Sequence, residues 1–236
     1  MNRFQLTHLA LITFFSTLIG FNTENENLKK QTFYSQASQD EFVYTLLYDL
    51  LNKQDSGYYL EIGAGYPKRI NNTYFLESNL DWKGTSIDIS PNYRFEWKNT
   101  RVNKLLLADA TKVDYSEVLE EFPQVIDYLS LDIDRAYDLV LEKICFDTHL
   151  FKIITIEHDY YRYEDQFRLR EREILTELGY YLLCPDVMNQ RYIFEDWWIH
   201  PDAFPEDVLL KLCTLDLDNK EHTYIISQLK TIIENN

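Results

Sequence analysis

Tyr58-Tyr59-Leu60-Glu61-Ile62-Gly63-Ala64-Gly65-Tyr66-Pro67 is an apolar, β-prone run that ends on an acidic residue and passes into Gly-x-Gly. That is the pattern of a buried strand feeding a tight turn. Glycine permits positive φ and lets the backbone approach a bound molecule, and the strand places the turn at the carboxyl edge of a sheet, where α/β folds bind ligands. Glycine turns after strands are also common for structural reasons alone, so this one gains meaning only from what surrounds it.

Downstream, residues 69–80 carry Tyr74, Phe75, Leu76 and Leu80 and read as a crossover helix capped by Asn71 or Asn72. Residues 84–89 form a second strand containing Asp88, 23 positions after Gly65. An acid at that place is where nucleotide folds bind ribose hydroxyls, and a turn former before Ser90-Pro91 is the plainer alternative. A third strand at 104–108 closes on Asp109-Ala110, and a helix covers 114–122. The fourth strand, 125–133, is apolar on both faces as a central parallel strand requires, and finishes in Asp132 and Asp134. After a helix at 137–144, a fifth strand at 152–156 runs into Glu157, His158 and Asp159. A charged helix at 163–178 stops at Gly179. Residues 180–183 and 191–194 suggest a closing antiparallel pair, with Glu195-Asp196-Trp197-Trp198 following it and a helical tail from 204, interrupted near 216–220. Upstream, Phe42, Leu46, Leu47, Leu50 and Leu51 recur at helical spacing over 41–51, with Ser38 and Glu41 as a capping box.

Strands alternating with helices argue for a parallel sheet with right-handed crossovers. Glu61, Asp88, Asp109, Asp132, Asp134, Glu157, His158 and Asp159 all stand at strand carboxyl ends, so they are expected to converge on one edge. One acid there is commonly a helix cap. So many together repel each other unless a ligand, a proton or a metal is present.

The chain has 236 residues, 45% of them hydrophobic and 15% aromatic, enough for one sizeable α/β domain. A formal net charge of -16 argues against nucleic acid as a partner. Arg162, Arg168, Arg170 and Arg172 alternate with Glu164, Glu171 and Glu173, which reads as a solvated helix face with intrahelical pairs. Cys145, Cys184 and Cys213 are odd in number and lack Cys-x-x-Cys spacing, so reduced, partly buried thiols are expected. The apolar run 9–21 is shorter than the about 20 residues a membrane span needs but fits a signal-peptide core or a short anchor. Residues 22–32 read as a polar linker.

Over residues 34–202 the chain resembles the FkbM-like group of class I S-adenosylmethionine-dependent methyltransferases. The resemblance is carried by Ser35-Gln36-x-x-Gln39-Asp40, Glu61-x-Gly63-x-Gly65, Asn72-Thr73-Tyr74-Phe75-Leu76-Glu77, Trp82-x-Gly84, Ile87-Asp88, Leu129-Ser130-Leu131-Asp132-Ile133-Asp134 and Ile156-Glu157-His158. It implies a Rossmann-like α/β fold: a mostly parallel sheet with an antiparallel closing strand and helices on both faces. It implies S-adenosylmethionine as cofactor, with Glu61 orienting the loop and the methionine amino group. Gly63, Ala64 and Gly65 would approach the aminoacyl part, Asp88 would take the ribose hydroxyls, and Asp109 with Ala110 would meet the adenine. Where the group has glycine after its Asp-x-Asp, this chain has Arg135, expected either to crowd the acceptor pocket or to pair with Asp132 or Asp134.

Asp132, Glu157 and His158 are the candidates for proton acceptance in methyl transfer to an oxygen of a small molecule or glycan. A divalent metal held by Asp132, Glu157 and Asp196 or His200 is the less favoured arrangement. The rival functions are a catalytically inactive relative serving as a binding or trafficking module, and a nucleotide-sugar enzyme. An intracellular donor favours an intracellular protein, membrane-associated through its N-terminus, over a secreted one. The expected organisation is a hydrophobic segment and linker over 1–32, a methyltransferase domain over 33–203 and a helical tail over 204–236.

Overall fold

The computed structural model describes residues 31–234; the expected N-terminal signal or anchor lies outside them. No helix among the described residues is long and apolar enough to cross a membrane. Seven strands form one sheet: β1 (Tyr58–Ile62), β2 (Lys83–Asp88), β3 (Lys104–Leu107), β4 (Val125–Leu131), β5 (Leu150–Glu157), β6 (Tyr181–Asn189) and β7 (Tyr192–Ile199), in the order β3-β2-β1-β4-β5-β7-β6. The first five are mutually parallel, and β7 is antiparallel to both of its neighbours. Strand order reverses between β1 and β4, so the carboxyl ends of those strands open a crevice at a topological switch point. This is the expected Rossmann-like architecture.

Side chains of a strand alternate between faces, and two cores result. One gathers Tyr59, Tyr128, Ile153 and Trp197 with helix α1 (Gln39–Tyr44), the π-helical continuation Thr45–Leu50, α2 (Tyr74–Leu80), and the tail helices α8 (Glu206–Leu212) and α9 (His222–Glu234). The other gathers Leu60, Leu129, Ile154 and Trp198 with α4 (Tyr115–Leu119), α5 (Tyr137–Leu141) and α7 (Asp165–Glu177). Two short helices complete the set, α3 (Arg94–Thr100) and α6 (Tyr160–Tyr163).

Several local expectations are corrected. Glu195 to Trp198 do not follow the last strand but lie inside β7, which the sheet encloses on both sides. Alternation sends neighbouring acids to opposite faces: Glu195 accepts from Gln39 Nε2 of α1 (3.0 Å) and Trp197 Nε1 (2.6 Å), and Asp196 accepts from Arg172 Nε of α7 (2.7 Å). Arg168 and Arg172 are therefore not a solvated face. Arg168 bonds Asp165 and Asp186, and Arg172 bridges Asp186 and Asp196. Arg170 is solvated as expected, pairing with Glu173 and also with Glu142, and Arg162 is likewise exposed and pairs locally with Asp159.

Ser38 is left-handed (φ 62°) and makes no side-chain cap, since capping needs an extended residue. Its hydroxyl meets His222 Nδ1 (3.0 Å) and Glu41 pairs with Lys230 (2.6 Å), so both tie α1 to α9 instead. The first crossover helix begins at Tyr74, and Asn71 Oδ1 caps it by accepting from Thr73 N and Tyr74 N. Gly179 (φ 86°) ends α7 with Tyr180 N bonded to Leu175 O, the Schellman pattern. Cys184 is buried and Cys145 half-buried, as expected of core thiols, whereas Cys213 is exposed; all three are free.

Burial raises the carboxyls of Asp40 to about 6, Glu61 to about 7 and Glu195 to about 8. A carboxyl that keeps its proton only when folded stabilises the fold fully below its unfolded value of about 4 and loses that contribution as pH rises through its folded value. The melting temperature should therefore fall between pH 5 and pH 8, and Glu195→Gln should flatten the fall. A melting temperature that climbs across this window in thermal scans contradicts the assignment.

Candidate active site

At the end of β1, Gly63 N and Ala64 N both donate to Ile87 O (2.8 and 3.1 Å), while Asp132 N donates to Ile62 O (2.8 Å). The turn is thus stitched to β2 on one side and β4 on the other. Gly63 has φ +89°, and a Cβ there would stand 1.7 Å from the Asp132 carbonyl oxygen. Only glycine fits. At Gly65 (φ +55°) a Cβ would have nothing within 4 Å, and the N–H donates to Asp88 Oδ2 (2.7 Å). The first glycine answers to backbone crowding and the second to conformation and an open face.

Beneath the turn, Glu61 accepts from Ser86 Oγ (2.6 Å) and Asn71 Nδ2 (2.9 Å), and that same amide donates to Ala64 O (3.0 Å). Glu61 therefore orients the loop through Asn71. It is buried under the turn, however, and not among the residues lining the cleft. Asn71 is held in turn by Arg101, which sequence reading misses altogether. The Arg101 side chain is fully buried, with Nε donating to Glu77 Oε2 (2.6 Å), Nη1 to Pro67 O and Asn71 Oδ1, and Nη2 to Tyr59 Oη and Thr73 Oγ1. All five guanidinium donors are used. Burial raises the Glu77 carboxyl, but the Arg101 charge and the amides of Val102 and Asn103 outweigh it and hold the group below its usual range.

Above the turn lies a cleft of about 600 Å³. Gly63, Gly65, Asp88, Asp109, Ala110 and Asp132 all line it, with Asp134 and Arg135 at its edge. Ala64 is buried and does not. Asp88 Oδ1 accepts from Ser90 N (2.7 Å), so its two oxygens clamp the turn and the start of the next loop. Asp109 caps the short 3-10 turn Ala110–Lys112; hydrogen bonds from Thr111, then Lys112, lower its carboxyl to about 2.

Glu157 lines a second cavity, of about 370 Å³, and hydrogen-bonds to Asp132 at the edge of the first. Burial and then the Asp132 charge raise the Glu157 carboxyl far above its usual range, and burial raises Asp132 as well. Two carboxyls in such contact share one proton. The pair joins the linings of the two cavities.

His158 is elsewhere. It is fully buried, its Nδ1 accepts from Tyr160 N (3.2 Å) and its Nε2 faces Asp196 Oδ1 (3.4 Å) across the core, so it does not reach the cleft. His158, Asp186 and Asp196 are the one group among the described residues whose ligand atoms cluster as a metal would need. Arg168 and Arg172 already neutralise those carboxylates, and the donor set fits an ion-pair network rather than a metal. Asp132 and Glu157 lie outside that group. His200 instead packs edge-on against Tyr180. Arg135 bonds neither Asp132 nor Asp134: it is exposed, with its guanidinium over the Tyr163 ring (5.2 Å), while Asp134 pairs with Arg162. The next residue, Ala136, is left-handed (φ 60°).

No protein-family model matches the sequence, and no curated protein matches it. Among solved structures, the chain is similar to magnesium protoporphyrin IX methyltransferase from Synechocystis PCC 6803 with bound SAM (11% identity over 69% of this chain and 78% of that one, TM-score 0.46). It is also similar to the N-methyltransferase NodS from Bradyrhizobium japonicum WM9 (14%, 68% and 95%, 0.42) and to a SAM-dependent O-methyltransferase from Thermotoga maritima (12%, 72% and 68%, 0.45). The fold assignment rests on the strand order itself.

Replacing Gly63 with alanine should displace the turn and lower the melting temperature by on the order of 10 °C, whereas Gly65→Ala, which costs roughly 1–2 kcal/mol for a left-handed alanine, should lower it by only a few degrees. Equal shifts in a thermal melt contradict the geometry. Arg101→Met leaves a buried Glu77 without its partner, a loss of about 3–5 kcal/mol measurable by urea unfolding. Arg101→Met with Glu77→Gln should recover part of it.

Proposed function

We propose that the chain is an S-adenosylmethionine-dependent methyltransferase of the FkbM-like type, acting on an oxygen of a small molecule or glycan. The observation that carries this reading is the electrostatic character of the cleft at the switch point. Asp88, Asp109, Asp132 and Asp134 line it; among the described residues the one cation of its lining, Arg135, lies over the Tyr163 ring, and Lys112 and Arg162, outside the lining, pair with Asp109 and Asp134 and leave Asp88 and Asp132 without a basic partner. Such a site disfavours phosphates and favours a cationic cofactor. The turn also lacks the third glycine and the Lys-Ser/Thr that would hold a phosphate. With no family model matching, the FkbM-like part rests on the motif residues alone.

In this reading the cofactor supplies an electrophilic methyl group on a sulfonium. The chain's own residues do the rest. Gly63 and Gly65 admit the aminoacyl part, Asp88 takes the ribose hydroxyls, and Ala110 with Asp109 borders the adenine. Asp132 places a negative charge near the sulfonium, and through Glu157 the pair accepts the acceptor's proton.

Calorimetric titration tests the reading. S-adenosylmethionine and S-adenosylhomocysteine should both bind, and Asp88→Ala should weaken binding at least about tenfold, or about 1.4 kcal/mol. A folded sample that binds neither ligand refutes it and leaves the inactive-module alternative.

A further inference from the structure

The second cavity shares no lining residue with the cleft at the glycine turn. Two of its lining positions are backbone outliers. Ile70, a β-branched residue, is left-handed (φ 53°), and the β6–β7 hairpin turns through Gln190 and Arg191 with φ 50° and 75°, where glycine or asparagine is the ordinary choice. Strain of this kind persists where surrounding structure enforces it and concentrates at ligand sites. Here the enforcement is visible: Arg191 N donates to Glu221 Oε1 (2.9 Å) and Met188 N to Lys220 O (2.8 Å), pinning the hairpin to the chain leading into α9.

The chemistry of the lining is specific. Gln36, Asn189 and Gln190 supply three side-chain amides, none engaged in a hydrogen bond elsewhere among the described residues. Tyr161 and Tyr192 form a tilted pair with centroids 5.1 Å apart, both half-exposed toward the opening. Among the described residues the lining includes no Lys, Arg or His. Its acidic member, Glu157, is pushed to about 12 by burial and then by the neighbouring Asp132 charge and so keeps a proton, while Asp132 lines the other cleft. The cavity is thus uncharged, rich in groups that both donate and accept, and flanked by aromatic rings. At about 370 Å³ it lies near the small end of ligand pockets, which run from about 300 to 1,000 Å³.

We infer that this cavity is the acceptor subsite and that it takes a neutral sugar unit, amides on its hydroxyls and tyrosine rings against its C–H face, with the reacting hydroxyl on Glu157. The inference rests on the methyltransferase reading above. In the transfer the acceptor oxygen forms a bond to the methyl carbon as the carbon–sulfur bond breaks, and sulfur keeps the electron pair. The hydroxyl proton passes to Glu157, which gives its own to Asp132. The pair goes from one negative charge to none as the sulfonium goes from one positive charge to none, so no charge is left stranded where the two cavities meet.

The test is transfer of an isotopically labelled methyl group from S-adenosylmethionine by the full chain to three classes of probe: methyl glycosides of neutral hexoses, deoxyhexoses and pentoses; glucuronate; and spermidine. A neutral glycoside should be methylated in preference to the other two. Gln190→Ala and Tyr192→Ala, both at exposed positions that tolerate substitution, should raise its KM about tenfold, equivalent to about 1.4 kcal/mol, with S-adenosylhomocysteine affinity unchanged. Preference for glucuronate or spermidine overturns the inference. So does the absence of transfer to any glycoside by a chain that still binds S-adenosylhomocysteine, which leaves the cofactor reading standing. Failure to bind S-adenosylhomocysteine overturns both.

Discussion

A guanidinium removed from water is costly unless every donor is matched, and Arg101 meets that condition with five partners: Tyr59 of β1 and Pro67, Asn71, Thr73 and Glu77 of the loop and helix that follow. Its ring partner Trp97, 4.7 Å away, closes the remaining side. Because Arg101 holds Asn71, and Asn71 holds both Glu61 and Ala64, the position of the glycine turn depends on a residue that never touches the cleft. Removing one partner would leave a buried charge, so the assembly behaves as a unit.

The sheet extends the same logic. Register aligns Ser86, Glu61, Ser130 and Thr155 in one polar row across four strands. Ser86 donates to Glu61, Asn72 to Ser130, and Tyr128 shares a hydrogen bond with Thr155, so the row is satisfied by neighbours rather than by water. On the opposite face, Asp196 meets His158 and Arg172, which hold its carboxyl down to about 2 in spite of burial. The acids of the interior are therefore neutralised by a proton, an arginine or an amide. At the carboxyl edge Asp109 pairs with Lys112 and Asp134 with Arg162, whereas Asp88 and Asp132 make no ion pair among the described residues and present their carboxyls to the cleft.

The edge is also divided. Asp132 belongs to the cleft beside the glycine turn and Glu157 to the cavity beside the β6–β7 hairpin, and a hydrogen bond links the two carboxyls. Gln36 and Gln39 come from one short motif that leads into α1 but serve different ends, Gln36 at the second cavity and Gln39 on buried Glu195. That motif fastens the chain's entry to β7 while presenting a polar group to the cavity.

Local pattern determined what local physics governs. Alternating apolar strands and amphipathic helices, the glycine turn after β1, the acid at the end of β2, the Asn71 cap and the Gly179 stop all follow from periodicity, φ preference and capping, and each is legible in a short window of sequence. Which acid faces a ligand is settled by pleat parity and long-range pairing, and these leave no local mark. Parity turned His158 inward and left Glu157 at a cavity, although they are neighbours in the chain. Arg135 met Tyr163 rather than its adjacent acids, Arg172 crossed to β7 instead of pairing along its helix, and Arg101 was invisible until the fold brought its five partners together. A residue's type follows from the gene, but the desolvation and partners that give it chemistry exist only once distant segments pack.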